Sequence, residues 1–399
     1  MSDQQTGSSS KPIVLFTAFE PSGDALAAPV IAEMLRLIPD LRIYAYGGPL
    51  MREAGANMID ETVEDAAMSL GAIRKVFKVR KQIGALKRWS RGARVVLHVP
   101  VDSPAANFPI CKMLRKQGAR TVHLAAPQLW AWGRWRLGKL RKRTDLLLCL
   151  LPFEEQWFGD RKIDARFIGH PAVNREINIE ELKEHMHGLP QGAPRVGIFP
   201  GSRPQEVAAN IGLLRATFDE LQGRYSGMSG VIVAANDRIA QQLRKKIKVF
   251  PTGMHMITGQ RDAVIAWCDV ALAVSGTISL HIARQGKPMV GVYKVGIISW
   301  LLSKLLLRTP FRFLPNIVAE REVVPEFVPH AGGAGPIIKA ASAPLQDSRE
   351  GALQTEELRR VCLRYANKQP AREAAKHILL TLKGATKKPD APMPTAAHG

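Results

Sequence analysis

Short apolar, often β-branched runs recur along the first 150 positions: Ile13 to Phe16, Ile43 to Tyr46, Val95 to Val99, Thr121 to Leu124 and Asp145 to Leu150. Between them lie helix-like stretches, Ala25 to Leu37, Arg74 to Trp89 and Phe108 to Gln117. Continuous apolar strands alternating with helices are the pattern of βαβ units around a parallel sheet buried on both faces. An Asn- and Glu-rich stretch from Asn174 to Leu189, followed by Pro190-Gln191-Gly192-Ala193-Pro194, reads as a linker. A second alternating series follows it: Val196 to Phe199, helix Pro204 to Leu221, Gly230 to Ala234, helix Arg238 to Ile247, His255 to Ile257, Ala263 to Trp267, Val270 to Val274, helix Thr277 to Arg284 and Met289 to Tyr293. The pattern therefore predicts an α/β protein of two Rossmann-like, doubly wound domains, over residues 11–189 and 190–345. A Gly-, Ala- and Pro-rich stretch from Ala331 to Leu345 precedes a helical segment over 346–385, and residues 1–10 and 386–399 read as disordered ends.

At 399 residues the chain is too long for one core and fits two domains. With 46% hydrophobic and 23% charged residues it is ordinary for a globular protein, and no solenoid repeat is visible. Met1 to Ser10 is polar and lacks an apolar signal region, which argues against export. The four cysteines, Cys111, Cys149, Cys268 and Cys362, lie far apart, as buried thiols of a reducing compartment do. His185 and His187 alternate as two ligands would, but no third accompanies them in sequence, so no metal site is expected. The extreme quantity is charge: 56 basic against 35 acidic residues give +21. Such a surface attracts an anion, and a nucleic acid, an anionic membrane or a phosphorylated substrate would each serve.

Ligands of doubly wound sheets sit beyond the carboxyl ends of strands, so polar residues there are the first suspects. Four strand ends stand out. Glu20, Ser22, Gly23 and Asp24 follow the first strand, where Ser22 or Asp24 could simply cap the next helix. Asp102-Ser103-Pro104 follows Val95 to Val101 and reads either as an ordinary turn or as a carboxylate presented at a cleft. Gly201, Ser202 and Arg203 follow Ile198-Phe199-Pro200, where free amides and a guanidinium could hold phosphate. Ser275, Gly276 and Thr277 repeat that arrangement after Val270 to Val274. Basic and aromatic residues interleave from Trp130 through Trp132 to Arg136, along Ile73 to Trp89, and again from Ile297 to Phe313. These stretches suit stacking or a membrane interface, and are too short or too charged to span a bilayer.

With these residues in hand, the chain resembles the lipid-A-disaccharide synthases, inverting glycosyltransferases of the two-domain GT-B fold with an interdomain cleft. Ala18-Phe19-Glu20-Pro21-Ser22-Gly23-Asp24 looks like the family's Ala-Gly-Glu-x-Ser-Gly-Asp. Gly47-Gly48-Pro49-Leu50-Met51 with Gly55, Asp102-Ser103-Pro104, Trp130-Ala131-Trp132, Leu151-Pro152-Phe153-Glu154 and Gly169-His170-Pro171 follow in the family's order. Pro200-Gly201-Ser202-Arg203 with Glu206, Ser275-Gly276-Thr277, Gly286-Lys287-Pro288-Met289, and Leu314-Pro315-Asn316 with Arg321-Glu322 complete the match.

The resemblance implies transfer of diacylglucosamine from UDP to the 6-hydroxyl of diacylglucosamine 1-phosphate, at a cytoplasmic site peripheral to the inner membrane. It implies Asp102 as the base, with Glu20 and Asp24 orienting the acceptor or supporting that base. Ser22, Gly23, Trp130 and Trp132 would bind substrate. Gly201, Ser202, Arg203, Ser275, Gly276, Thr277, His281, Asn316, Arg321 and Glu322 would hold the UDP-sugar. No cofactor or metal is expected, the partners are the two acylated sugars and an anionic membrane surface with no specific nucleic acid, and the family's habit implies a homodimer.

Departures accompany the matches. Phe19 stands where the family has Gly, Leu124 and Gln128 replace Tyr and Ser, Gly133 replaces Arg, and Ala105-Ala106 replace Asp-Phe. On the donor side Lys294 stands in for Arg, Glu320 for Gly, and His281 for a Glu. They keep open a silent homologue that binds nucleotide sugar or lipid, and a related glycolipid glycosyltransferase with altered substrate.

Overall fold

The computed structural model describes residues 12–62, 72–274, 276–294 and 309–386, with 72–79 and 386 by their backbone only. Both termini, Ser275 and the Trp/Leu-rich stretch 297–308 lie outside the described residues.

Two compact units form. The first comprises residues 1–129, 133–169 and 369–399, the second 130–132 and 170–368. In the first, the order is β1 (Ile13–Thr17), α1 (Pro21–Leu37), β2 (Ile43–Gly47), α2 (Pro49–Glu53), β3 (Asn57–Glu61), α3 (Ala72–Ser90), β4 (Val95–Pro100), α4 (Pro104–Lys116), β5 (Arg120–Leu124), α5 (Leu137–Arg143), β6 (Leu146–Cys149), α6 (Glu154–Gly159) and β7 (Ala165–Phe167). Its seven strands are all parallel, in the order β3-β2-β1-β4-β5-β6-β7. Strand alternation sends Val14 and Phe16 into one core layer and Ile13 and Leu15 into the other, which is why these runs carry no polar face.

The second unit begins with α7 (Pro171–Asn174) and α8 (Ile179–His187). It continues with β8 (Arg195–Phe199), α9 (Pro204–Arg224), β9 (Ser229–Ala234), α10 (Asp237–Ile247), β10 (Met254–Thr258), α11 (Arg261–Trp267), β11 (Val270–Val274), α12 (Ile278–Arg284) and β12 (Met289–Lys294). After the stretch outside the description come α13 (Leu314–Ala319), β13 (Glu326–His330), α14 (Gly335–Gln346) and α15 (Ser348–Leu363). Its sheet is likewise parallel, in the order β10-β9-β8-β11-β12-β13. Val207, Ile211, Leu214, Phe218 and Leu221 of α9 make a three-four stripe that covers this sheet. The order reverses at β1/β4 in one unit and at β8/β11 in the other. These are the switch points at which doubly wound sheets bind ligands.

The two Rossmann-like domains match the expected fold class, while the segment boundaries differ. The first segment ends at Gly169 rather than 189, because residues 170–189 are not a linker: Asn178 caps α8 by accepting from the amides of Glu180 and Glu181, and α7 and α8 pack on α12 and α11. The expected helical segment is two helices: the first ends at Leu363, the chain turns through Asn367 at φ 61°, and Pro370 opens the second. The second of them, α16 (Pro370–Thr386), returns to the first unit, where Ala374, Ala375, Ile378, Leu379 and Leu382 join the core beneath α1. Strands β3, β7 and β13 were not expected from the pattern. All three are sheet edges, buried on fewer sides and therefore free to carry polar residues and Pro329.

Candidate active site

Several loops that leave the carboxyl ends of the strands share one device. Helices α1, α2, α4 and α9 each start on a proline, Pro21, Pro49, Pro104 and Pro204, within five residues of the strand before them. Proline costs nothing at that position because its missing N–H would be unpaired there anyway. The residues just ahead of each proline are thereby fixed at the strand's end.

In the first unit, Glu20 is the residue before α1 and makes no capping bond with its side chain. Ser22 is exposed, and Gly23 packs within 3.1 Å of the Ala18 side chain and 3.6 Å of the Val101 carbonyl, as measured from the Cβ it lacks. This close approach of α1 to the loop after β4 explains the glycine. Asp24, expected to orient the acceptor or support the base, has a structural role in the fold. It is buried, and its carboxylate accepts from the amides of Gly48 (3.2 Å), Leu50 (3.1 Å) and Met51 (3.0 Å), tying down the start of α2.

Asp102 ends the chain's path out of β4, half-buried and at φ 46°, and Ser103 follows at φ 42°. Two successive side-chain-bearing residues in the left-handed region cost of order 1–2 kcal/mol each and persist only where the surroundings impose them. Here they do. The Asp102 amide donates to the Leu124 carbonyl (2.9 Å) and the Val101 amide to the Thr17 carbonyl (2.9 Å). The Asn107 side chain, fully buried on α4, donates to the carbonyls of Val101 (3.1 Å) and Asp102 (2.8 Å).

Behind Asn107 stand Thr17, whose hydroxyl donates to the Asn107 Oδ1 (2.7 Å), and His98, whose Nε2 lies 2.8 Å from that hydroxyl. Burial pulls His98 down to about 3 and His123 to about 4. For His123 the Asp102 backbone offsets part of that cost without making a geometrically sound hydrogen bond to the ring. None of Thr17, His98, Asn107 and His123 was expected as a site residue. The available signal was a polar residue inside an otherwise apolar run, as in Val-Val-Leu-His98-Val.

Trp130 is buried at 4% exposure and Trp132 is exposed at 47%, so only the second of the expected pair is available to a ligand from solvent. Trp135, at 71%, is more open still and stands among exposed Arg134, Lys139 and Arg141. Gly133 adopts φ 77°, and a Cβ there would run into the Arg136 guanidinium, which accounts for glycine at this position.

In the second unit the strand ends are built from backbone. Gly201 has φ 101°, and a Cβ there would lie 3.0 Å from the Glu206 carboxylate. Glu206 reaches back to Arg203, Nη1 to Oε1 2.9 Å, leaving that guanidinium 67% exposed beside the first turn of 21-residue α9. Ser202 is exposed. Gly276, at φ 140°, has open space where its side chain would be, and exposed Thr277 precedes α12. Ser275 falls outside the described residues.

His281 lies on α12, 12% exposed, with Nδ1 3.9 Å from Asp262. Burial, then the nearby Arg261 and Arg284, pull it to about 2, so it is a neutral imidazole. Arg284 bonds the Arg175 carbonyl (2.7 Å) and Asp262 (3.3 Å).

Asn316, expected on the donor side, is engaged within the fold. It is fully buried, donates to the Val324 carbonyl (2.8 Å) and Glu326 (2.9 Å), and accepts from the amides of Val323 and Val324 (2.8 Å each). Its four hydrogen-bonding positions are spent tying α13 to β13, which leaves none for a substrate. Arg321 pairs with Glu357 on the surface, and Glu322 is exposed.

A family model described as lipid-A-disaccharide synthetase matches residues 14–380. The chain belongs to the lipid-A-disaccharide synthase family. A family member from Solibacter usitatus is 32% identical over 343 residues, covering 85% of this chain and 89% of its own. One from Pseudomonas putida KT2440 is 31% identical over 380 residues, covering 93% and 98%. Among solved structures, the UDP-GlcNAc 2-epimerase of Neisseria meningitidis bound to UDP-GlcNAc superposes with a TM-score of 0.62 at 12% identity, covering 94% of this chain and 99% of its own. That likeness establishes the shared GT-B architecture. Among the described residues of this synthase-family chain, no helix is long and apolar enough to cross a membrane, and no three His, Cys, Asp or Glu side chains gather as metal ligands.

Proposed function

We propose that the protein is an inverting glycosyltransferase that joins UDP-2,3-diacylglucosamine to 2,3-diacylglucosamine 1-phosphate, releasing UDP and the disaccharide 1-phosphate. Family membership across residues 14–380 supports the reaction. The observation that carries the assignment of roles is that Glu20 and Asp102 leave the switch point of one sheet, while Gly201 to Arg203 and Gly276-Thr277 leave that of the other.

In this reading the acceptor's 6-hydroxyl oxygen attacks C1 of the donor sugar, and its proton passes to the Asp102 carboxylate. The bond between C1 and the β-phosphate oxygen breaks, and UDP leaves with the bonding pair. Arg203 and the amides that open α9 receive the charge that develops on the diphosphate. Glu20 orients the acceptor. These groups supply the stabilisation themselves, so the reading calls for no metal ion, and turnover unchanged by a chelator is the expected check.

Exposed Trp132 and Trp135 with their neighbouring cations, and the overall charge of +21, support docking on an anionic bilayer, where both acylated substrates reside. The test is UDP release in detergent micelles with donor, in the presence and absence of acceptor. Acceptor-dependent release with a disaccharide product is expected. Release that ignores the acceptor, as hydrolysis of the donor would give, overturns the reading.

A further inference from the structure

The Asp102 loop is unusual in how completely its backbone is held. The Val101 and Asp102 amides each have a backbone partner, on β1 and β5. Their two carbonyls both accept from the side-chain amide of Asn107. That amide is itself oriented. The Thr17 hydroxyl donates its one proton to the Asn107 Oδ1 and must therefore accept from His98 Nε2–H, which fixes the direction of every bond in the chain. His98, Thr17 and Asn107 are each fully buried, so solvent competes for none of these bonds.

Fold stability alone does not call for such an arrangement. A glycine at 102 or 103 would reach the same left-handed backbone without the strain or the anchors. The chain instead keeps a carboxylate at that position and pins it from beneath.

We infer that Asn107, oriented by the buried Thr17–His98 pair, is a positioning residue for Asp102, fixing the backbone from which that carboxylate meets the acceptor hydroxyl. The inference rests on the proposed role of Asp102 as base. Catalytic geometry is unforgiving: a displacement of about 1 Å can cost on the order of a hundredfold in rate. Loss of the Asn107 amide frees both carbonyls and lets the loop relax out of its strained conformation.

The test is a double-mutant cycle between Asn107→Ala and Asp102→Ala, read by kcat, by KM for UDP-diacylglucosamine, and by UDP affinity in calorimetry. Asn107→Ala is expected to lower kcat by about ten- to a hundredfold, leave donor KM and UDP affinity within about twofold, and cause no further loss once Asp102 is alanine. Equal losses with and without the Asp102 carboxylate would show a general structural effect and overturn the inference. So would a folded Asn107→Ala protein with unchanged kcat.

If Asn107→Ala fails to unfold cooperatively, Thr17→Val replaces it in the same cycle. It removes only the hydroxyl and keeps the packing, with an expected loss of about three- to tenfold in kcat from a less strictly oriented amide. Undiminished turnover by Asp102→Ala would instead remove the base itself, and with it the basis of the inference. An inactive Asp102→Ala beside an independent Asn107 would remove only the positioning role.

Discussion

The two switch points solve the same topological problem with opposite materials. At β1/β4 the strand ends are closed by buried polar side chains: Asp24 on the amides of α2, Asn107 on two carbonyls, Thr17 and His98 behind it. At β8/β11 they are opened by glycines of positive φ, with exposed Arg203 and Thr277 beside them. The contrast matches what each end is proposed to do. A single carboxylate that must take a proton in one orientation benefits from rigid support, whereas a diphosphate with many equivalent oxygens can be met by backbone amides and an exposed cation.

The contrast can be broken most severely at Asp102. Asp102→Ala is expected to lower kcat by about 10² to 10⁴, the range for a lost general base, with UDP affinity intact. Next in size, Asn316→Ala is expected to destabilise the protein by about 2–4 kcal/mol through stranded buried partners, with donor KM unchanged in the folded fraction. Denaturant midpoints and steady-state kinetics separate the two, and a selective rise in KM would restore Asn316 to the ligand. Arg203→Ala is expected to weaken UDP by about ten- to a hundredfold, as loss of a charged hydrogen bond does, while melting is little changed.

Acid should then act through the closed end. His98 and His123 are neutral in the fold at about 3 and 4 and ordinary in the unfolded chain. Their folded values lie below the unfolded ones, so the unfolded state binds more protons as pH falls below about 6.5. Stability present above that pH is lost toward pH 4, by about 1.4 kcal/mol per pH unit for each such histidine. Buried His170, at about 4 with its Nδ1 accepting from the Ala172 amide, adds a third. Replacing His98 by Asn should flatten the slope of urea-derived stability against pH by about one histidine's share. The smallest effect belongs to Ser103→Gly, expected to gain about 0.5–1 kcal/mol as left-handed strain is relieved against glycine's entropy cost.

Much of this architecture was legible because strands buried on both faces advertise themselves as unbroken apolar runs. The edge strands did not, and neither did the destination of α16, since an amphipathic stripe such as Ala374, Ile378 and Leu382 shows that a helix packs but not on which sheet. In the site, the strand-end positions of Glu20, Asp102 and Arg203 followed from alternation alone, and their family roles from ordered motifs. What escaped was the division of labour among polar residues. Asp24 and Asn316 sit in matching motifs yet bond to groups of the fold itself, Asp24 to backbone amides and Asn316 to backbone and the Glu326 carboxylate, because a carboxylate and an amide are as useful to a helix start or a strand junction as to a ligand. Asn107 lies among Phe108, Ile110 and Cys111, and only its folded contacts with the Val101 and Asp102 carbonyls set it apart.

The return of α16 to the first unit has a consequence for biosynthesis. The first sheet is made early, but the layer over β1 and β4 lacks five of its apolar residues until position 382 has left the ribosome. The second unit, whose segments from 170 to 368 precede that helix, can complete its own core sooner. The half that carries Asp102 is thus begun first and finished last, and a nascent chain stopped short of α16 would present an uncovered apolar groove to chaperones.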